Sequence, residues 1–251
     1  MDKYLENAKR TGLLDVVIDW LDSKRYVSIS NIQLEFSVGY RTSSAVFNYL
    51  IDFGYIEDKP TYNKGNKVIH SPPKEDMKIY LLDINDKIVK AFKKDFVSYS
   101  NVEVIHDDFA HFMDEHDDID CVVSPGNAFG IMGGGYDKAI IDYFGHGPEE
   151  EVQKYIARHL CGEQQVGTSI IVDIPKTNKK LIHTPSMRLP SVIKDPTVIY
   201  HCMRSTLLCA LKNNIKCIVI PAFGGATGRV APETISKYMR LGYEQIYQIK
   251  E

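Results

Sequence analysis

From Met77 onward, short apolar runs alternate with amphipathic segments, and this alternation narrows the fold more than any other feature of the chain. "KIYLLDI", "VEVIHDD", "DCVVSPGN", "GTSIIVDI", "LIHTPSM" and "KCIVIPAF" read as strands. Between and after them, "NDKIVKAFKKDF" (opened by Asn85), "FAHFMDEH", "GYDKAIIDYFG", "PEEEVQKYIARHL", "TVIYHCMRSTLLCALKNN" and "APETISKYMRLGYEQIYQI" read as helices. Strands and helices in this order bury their apolar faces as a three-layer α/β/α arrangement around a mostly parallel sheet. Ligands of such sheets bind at the carboxyl ends of the strands.

The first part of the chain is patterned differently. "GLLDVVIDWLDSKRY" spaces Leu13, Leu14, Val17, Ile18 and Leu21 along one helix face, and "SISNIQLEF" is a second helix with Ser28 or Ser30 as its N-cap. "YRTSSAVFNYLIDFG" is a third, with Ala45, Val46, Tyr49, Leu50 and Phe53 inward and Gly54 stopping it. "YIEDKPTYNKGNKVIH" reads as two short strands around an Asn-Lys-Gly turn. Three helices and a hairpin describe a winged helix-turn-helix. The two prolines and charge cluster of "VIHSPPKEDM" read as a linker, giving domains at 1–73 and 74–251.

The winged segment resembles the gamma domain of the FtsK family of septal DNA translocases, through "SISNIQLEFSVGYRTSSAVFNYLIDFGYI" and "NKGNKVIHSPP". The resemblance implies a reader of short DNA signals. Here the recognition helix opens Tyr40, Arg41, Thr42, so Arg41 is the candidate for a bidentate base contact, Thr42 a weaker one, and Lys64 on the wing a phosphate contact. Acids slightly outnumber bases up to Asp76, which predicts weak DNA affinity unless the charges segregate. Two partners stay open: double-stranded DNA and a protein.

Two glycine-rich loops follow strands and lead into helices, "SPGNAFGIMGGGYD" and "PAFGGATGRVAPE". Backbone N–H groups in such loops cradle phosphate at the positive end of a helix dipole, and two at one sheet edge suit a diphosphate. Each loop is also readable as a plain strand-to-helix turn. Asn127, Gly133, Gly134, Gly135, Asp137 and Ile140 resemble the "N-x-x-x-x-x-G-G-G-x-D-x-x-I" signature of macrodomains, the ADP-ribose-binding fold. "SPGNAFGIMGGGYD" with "TPSMRLP" is most similar to a prokaryotic and phage branch often labelled tail-type. "HDDF" takes the place of the family's "GDI", which brings in Asp108 and Phe109.

The resemblance implies that Asp108 accepts from the adenine amino group; otherwise it caps the helix behind it. It implies that Asn127 holds the distal ribose, where a turn-forming Asn is the alternative. Gly133, Gly134, Gly135 and Tyr136 would offer N–H donors to the distal phosphate, with Gly224, Gly225, Ala226, Thr227 and Gly228 on the other side. Phe129 and Phe223 are candidate stacking or packing partners for a ribose or adenine, although an aromatic beside a glycine turn is more often core, and Arg229 pairs with phosphate or lies in solvent. In hydrolytic members an aspartate two residues after the glycine run serves the water, so Asn127 and Asp137 form the candidate catalytic pair. Asp137 also suits a helix start by charge alone. Gly224, Gly225, Ala226 depart from the Ser/Thr-Gly of many hydrolytic members. Binder, hydrolase and interaction module with a vestigial pocket therefore all stay open.

With 251 residues and a net charge of -3, the chain fits one large or two small soluble domains. Its first residues mix acids with apolar side chains and lack a cleavage site, so neither a signal peptide nor a membrane span is expected, and the cytoplasm is. Cys121, Cys161, Cys202, Cys209 and Cys217 are odd in number without a CxxC pair, and read as reduced, buried thiols. His111, His116, Asp117 and Asp118 cluster in sequence, but the histidines are five apart and a solvated acidic turn is the reading; no metal or cofactor is expected.

Overall fold

The computed structural model describes residues 3–21, 23–52, 54–62, 64–68 and 77–247. The chain separates into two compact units, Met1–Pro72 and Pro73–Glu251. Most of the linker stretch and Phe53 lie outside the described residues.

In the first unit the elements are α1 (Lys3–Arg10), α2 (Leu13–Leu21), β1 (Tyr26–Val27), α3 (Ile29–Phe36), α4 (Tyr40–Asp52), β2 (Ile56–Thr61) and β3 (Gly65–Val68). Ser28 rather than Ser30 caps α3: its hydroxyl accepts from the Asn31 N–H at 3.2 Å and the Asn31 side chain accepts from the Ser28 N–H at 2.9 Å. Such a reciprocal box stabilises a helix start by about 1 kcal/mol. Ser37 ends α3 in the left-handed region, at φ 52, and the chain turns into α4. Val17, Leu21, Ile32, Val46, Leu50 and Ile56 are buried together as the core of this unit. The strands form an antiparallel sheet ordered β1-β3-β2. The two-residue β1 has no periodicity to announce it, and the helix α1 is set off from α2 by Gly12 at φ +73.

In the second unit β4 (Lys78–Asp83), β5 (Val102–His106), β6 (Cys121–Ser124), β7 (Ile170–Asp173), β8 (Lys180–His183) and β9 (Cys217–Pro221) make one sheet ordered β5-β4-β9-β6-β8-β7. Every pair is parallel except β7 with β8. The helices are α5 (Asp86–Asp95), α6 (Phe109–Glu115), α7 (Gly135–Phe144), α8 (Gly147–His159), α9 (Thr197–Lys212) and α10 (Pro232–Tyr247). Side chains alternate across a strand. Tyr80 and Leu82 of β4 and Val219 of β9 pack with Phe112, Ile140, Val152 and Ile156 from α6, α7 and α8. The buried Ile79 and Leu81 occupy the opposite face, where α10 packs on both α5 and α9. The mixed α/β fold with a mostly parallel sheet agrees with the reading from strand and helix alternation. The cysteines are all free, yet Cys161 is exposed: it sits past the end of α8 in the left-handed region, at φ 54, outside any apolar face.

The sheet order positions the site. The chain leaves β4 toward its neighbour β5 and later returns on the other side of β4 with β9 and β6. Loops leaving strands in opposite directions open a crevice at their carboxyl ends.

Candidate functional site

The first glycine loop begins where β6 ends. Asn127 forms an isolated parallel bridge with Met187, and the Ala128 N–H donates to the Met187 and Arg188 carbonyls at 3.1 Å. The Asn127 side chain folds the next residues around itself, with Nδ2 donating to the Ile131 carbonyl at 2.7 Å and Oδ1 accepting from the Phe129 N–H at 3.1 Å. Glu149 Oε1 takes the Met132 N–H at 2.9 Å. The chain then reaches Gly133, Gly134 and Gly135 with nothing within 4 Å of where a Cβ would stand on any of them. Gly134 is the N-cap of α7 and supplies no side-chain cap, so the N–H groups of the first turn lack a side-chain acceptor from it.

The second loop leaves β9. Gly224 lies at φ +81, and a Cβ on Gly228 would stand 2.7 Å from the Gly224 carbonyl oxygen, so the loop closes on itself by backbone contact. The Val230 N–H donates to that same carbonyl at 3.1 Å, and the Ile193 N–H donates to the Gly228 carbonyl at 3.0 Å. Both loops line one cavity of about 810 Å³. Its walls come from the ends of β4 and β5 (Asp83, Asn85, Asp107, Asp108), the first loop and α7, Ser186, Met187 and Pro190 after β8, and the loop after β9. Four aspartates line it, and the described lining residues include no lysine, arginine or histidine.

The four carboxylates differ. Asp108 is the N-cap of α6, accepting from the His111 N–H at 3.0 Å, so one oxygen serves the helix. Asp107 lies 2.5 Å from His111 Nδ1, which holds its carboxyl below the usual range and raises the imidazole. His111 Nε2 faces Glu115 at 3.4 Å on the other side. Asp107, His111 and Glu115 are close enough to hold a metal ion, and each imidazole nitrogen already faces a carboxylate. His116, Asp117 and Asp118 do not join that group. Burial raises Asp83, against N–H donors that include Asn85 at 2.8 Å.

Asp137, the third residue of α7, is only 6% exposed. Ser124, at the end of β6, donates its hydroxyl to Asp137 Oδ1 at 2.7 Å. Burial pushes the carboxyl up to about 7, opposed by the Ser124 hydrogen bond and reinforced by Glu149. Beside Ser124 in the β6–β8 register stands His183, fully buried, with Nδ1 2.8 Å from Gln164 Oε1. Gln164 Nε2 donates to the Thr168 and His183 carbonyls, so its Oε1 is the acceptor, His183 Nδ1 carries the proton and Nε2 is a lone pair. Burial lowers His183 to about 3, so the imidazole is neutral. Its Nε2 has no hydrogen-bond partner. A Cβ on Gly126 would stand 2.6 Å from that nitrogen and 3.2 Å from Asp137 Oδ2, so both side chains press on a residue that only glycine fits.

Of the residues expected from sequence, Asp108, Phe109, Asn127, Gly133, Gly134, Gly135, Tyr136, Asp137 and Gly224 to Gly228 all line the cavity. Phe223 does not: it is 0% exposed, because it follows the buried end of β9 and turns into the core. Arg229 also lies outside the lining, at φ 52 past the loop closure. Arg188 instead makes a two-pronged pair with Glu163 at 2.7 and 2.9 Å and stands 5.2 Å over the Phe129 ring. Asp83 and Asn85 were not anticipated, although the carboxyl end of a strand is where lining residues belong. Met187 carries no local signal, since its place depends on the bridge to Asn127. In the first unit Arg41 donates to the Tyr4 hydroxyl at 2.9 Å, Thr42 is half-buried, and Lys64 stands 5.4 Å over the Tyr26 ring.

The Macro domain family model matches residues 123–239. An uncharacterized protein of Aquifex aeolicus is 30% identical over 123 residues, covering 49% of this chain and 71% of that protein. Solved structures with similar folds include the macrodomain of Mycobacterium tuberculosis DarG (19% identical, 51% of this chain and 84% of that chain, TM-score 0.44). Another is the Oceanobacillus iheyensis macrodomain with ADP (18% identical, 54% and 73%, TM-score 0.45).

Proposed function

We propose, from the premise that this chain belongs to the macrodomain family through residues 123–239, that its second unit binds ADP-ribose or a related ADP-ribosyl nucleotide. The observation that carries the reading is the run Gly133 to Gly135, open to the cavity at the start of α7 and sharing that cavity with the loop from Gly224 to Gly228. N–H groups at a helix start bind phosphate. Asp108 and Phe109 at the β5 end receive the adenine, and Asn127 with Asp137 line the part next to the distal ribose. Calorimetric titration with ADP-ribose gives a micromolar dissociation constant, and AMP at the same concentrations gives no comparable heat. Absence of heat with ADP-ribose overturns the reading.

The burial of Asp137 favours a second activity at the same site, hydrolysis of an ADP-ribosyl bond. A carboxyl poised at about 7 exchanges a proton with water near neutral pH, which suits a general base. The expected result is release of ADP-ribose from a mono-ADP-ribosylated protein, with Asp137→Ala lowering turnover by roughly 100-fold or more. Binding without turnover leaves a recognition module.

The first unit is read as a winged helix that tethers the macrodomain to double-stranded DNA or a protein partner. Two helices joined at Ser37 and followed by the β2–β3 hairpin support it. Arg41 and Lys64 are exposed, while Lys67 is paired with Glu57 at 3.6 Å. Fluorescence anisotropy with a labelled duplex at low salt is expected to show binding that Arg41→Ala weakens. A flat titration at low salt assigns the unit to a protein partner.

A further inference from the structure

We infer that this cavity takes up a proton when it binds a diphosphate, that the proton resides on Asp137, and that Ser124 sets the pH at which this happens. The inference rests on the reading of the cavity as an ADP-ribosyl site and specifies how that site responds to its surroundings.

The geometry singles out one carboxylate of four. Asp83 accepts from the Asn85 N–H and gains from those of Ile84 and Ala222, Asp107 has His111, and Asp108 is fixed in its cap. Asp137 is nearly sealed, and among the described residues the Ser124 hydroxyl is its one hydrogen-bond donor. Among the described residues no cation acts on it from the elements packed around it. Its own helix brings Tyr136, β6 brings Ser124, α8 brings Glu149 and β8 brings the neutral His183. Asp137 Oδ2 and His183 Nε2 instead flank Gly126, and among the described residues that nitrogen has no hydrogen-bond partner.

An anion seated on the N–H groups of Gly133 to Tyr136 meets residues one to four positions before this carboxyl, in the same cavity. Like charges at that range disfavour the ionised form. The free carboxyl already titrates at about 7, and the bound anion moves it higher. By linkage, whatever raises the proton affinity of Asp137 is itself bound more tightly when Asp137 is protonated. Affinity is therefore full below the free carboxyl's pKa and falls as pH rises through it, by at most tenfold per pH unit. Ser124 favours the ionised form, so its removal shifts the onset of the fall to higher pH.

The experiment is calorimetric titration of the full chain with ADP-ribose, whose diphosphate has no group that titrates near neutrality. It is run from pH 6 to 8.5 in buffers of small and large ionisation heat. The expected result is net proton uptake near neutral pH and a dissociation constant that rises above it. Asp137→Asn removes both the uptake and the pH dependence, and Ser124→Ala moves the onset upward. Should Asp137→Asn fail to fold, the Ser124→Ala shift and the wild-type proton count still decide. Binding with no proton uptake and a flat pH profile overturns the inference and leaves the ADP-ribosyl reading intact. No binding at either end of the pH range overturns that reading itself.

Discussion

Gly134→Glu abolishes ADP-ribose binding while leaving the thermal midpoint almost unchanged. Gly134 caps α7 at φ -152, an extended conformation that any residue adopts, and nothing lies within 4 Å of its missing Cβ. The substitution therefore meets no packing obstacle, and a surface change of this kind alters stability by under about 0.5 kcal/mol. The open space is the cavity, however. A carboxylate there occupies the place proposed for phosphate and presents like charge to it, at a cost of several kcal/mol, so affinity falls by roughly 100-fold or more. Paired calorimetric and thermal-unfolding measurements check both halves. Retained affinity with an unchanged midpoint would put the phosphates elsewhere.

Gly242→Ala acts the other way, on stability alone. Intrinsic propensity favours alanine over glycine in a helix by about 1 kcal/mol. Yet Gly242, in the middle of α10, is where that helix meets α9: an added Cβ would stand 2.7 Å from the Tyr200 carbonyl oxygen and 2.9 Å from Met203 Cβ. The first of these is backbone, which cannot swing aside, and overpacking costs roughly 1–3 kcal/mol. The two helices must separate, and α10 also covers α5. The expected outcome is net destabilisation of about 1 kcal/mol, a fall in midpoint of roughly 2–4 °C for a domain of this size. Urea unfolding tests the sign. A more stable variant would show that the contact relaxes freely and that propensity decides.

The strands and most helices of the second unit were legible because burial on both faces makes a strand an unbroken apolar run, as in "KIYLL" and "CIVI". The direction of β7 was not: "SIIVD" looks the same whichever way it pairs, and only the short turn to β8 reverses it. The place of Asn127 and the glycine run at the cavity was legible because glycines in a row suit a loop after a strand and little else. Phe223 was readable either way, because an aromatic beside a glycine turn has the same local sequence whether it faces a ligand or the core. Ser124 and His183 were invisible as a pair, since 59 positions of chain separate them and the β6–β8 register alone sets them side by side. In the first unit the capping box was half visible as "SISN", where Asn31 replaces the usual acid at the third position.

With four acids and no lysine or arginine among its described lining residues, the cavity projects little attraction for an anion beyond its mouth, and the binding proposed here falls to fixed N–H groups. Dipoles fade with distance faster than charges do. Passing polyanions such as nucleic acid backbones gain no encounter advantage from this surface, and added salt screens repulsion there rather than attraction. Occupancy then follows the abundance of the molecule that fits, because selection begins only at contact.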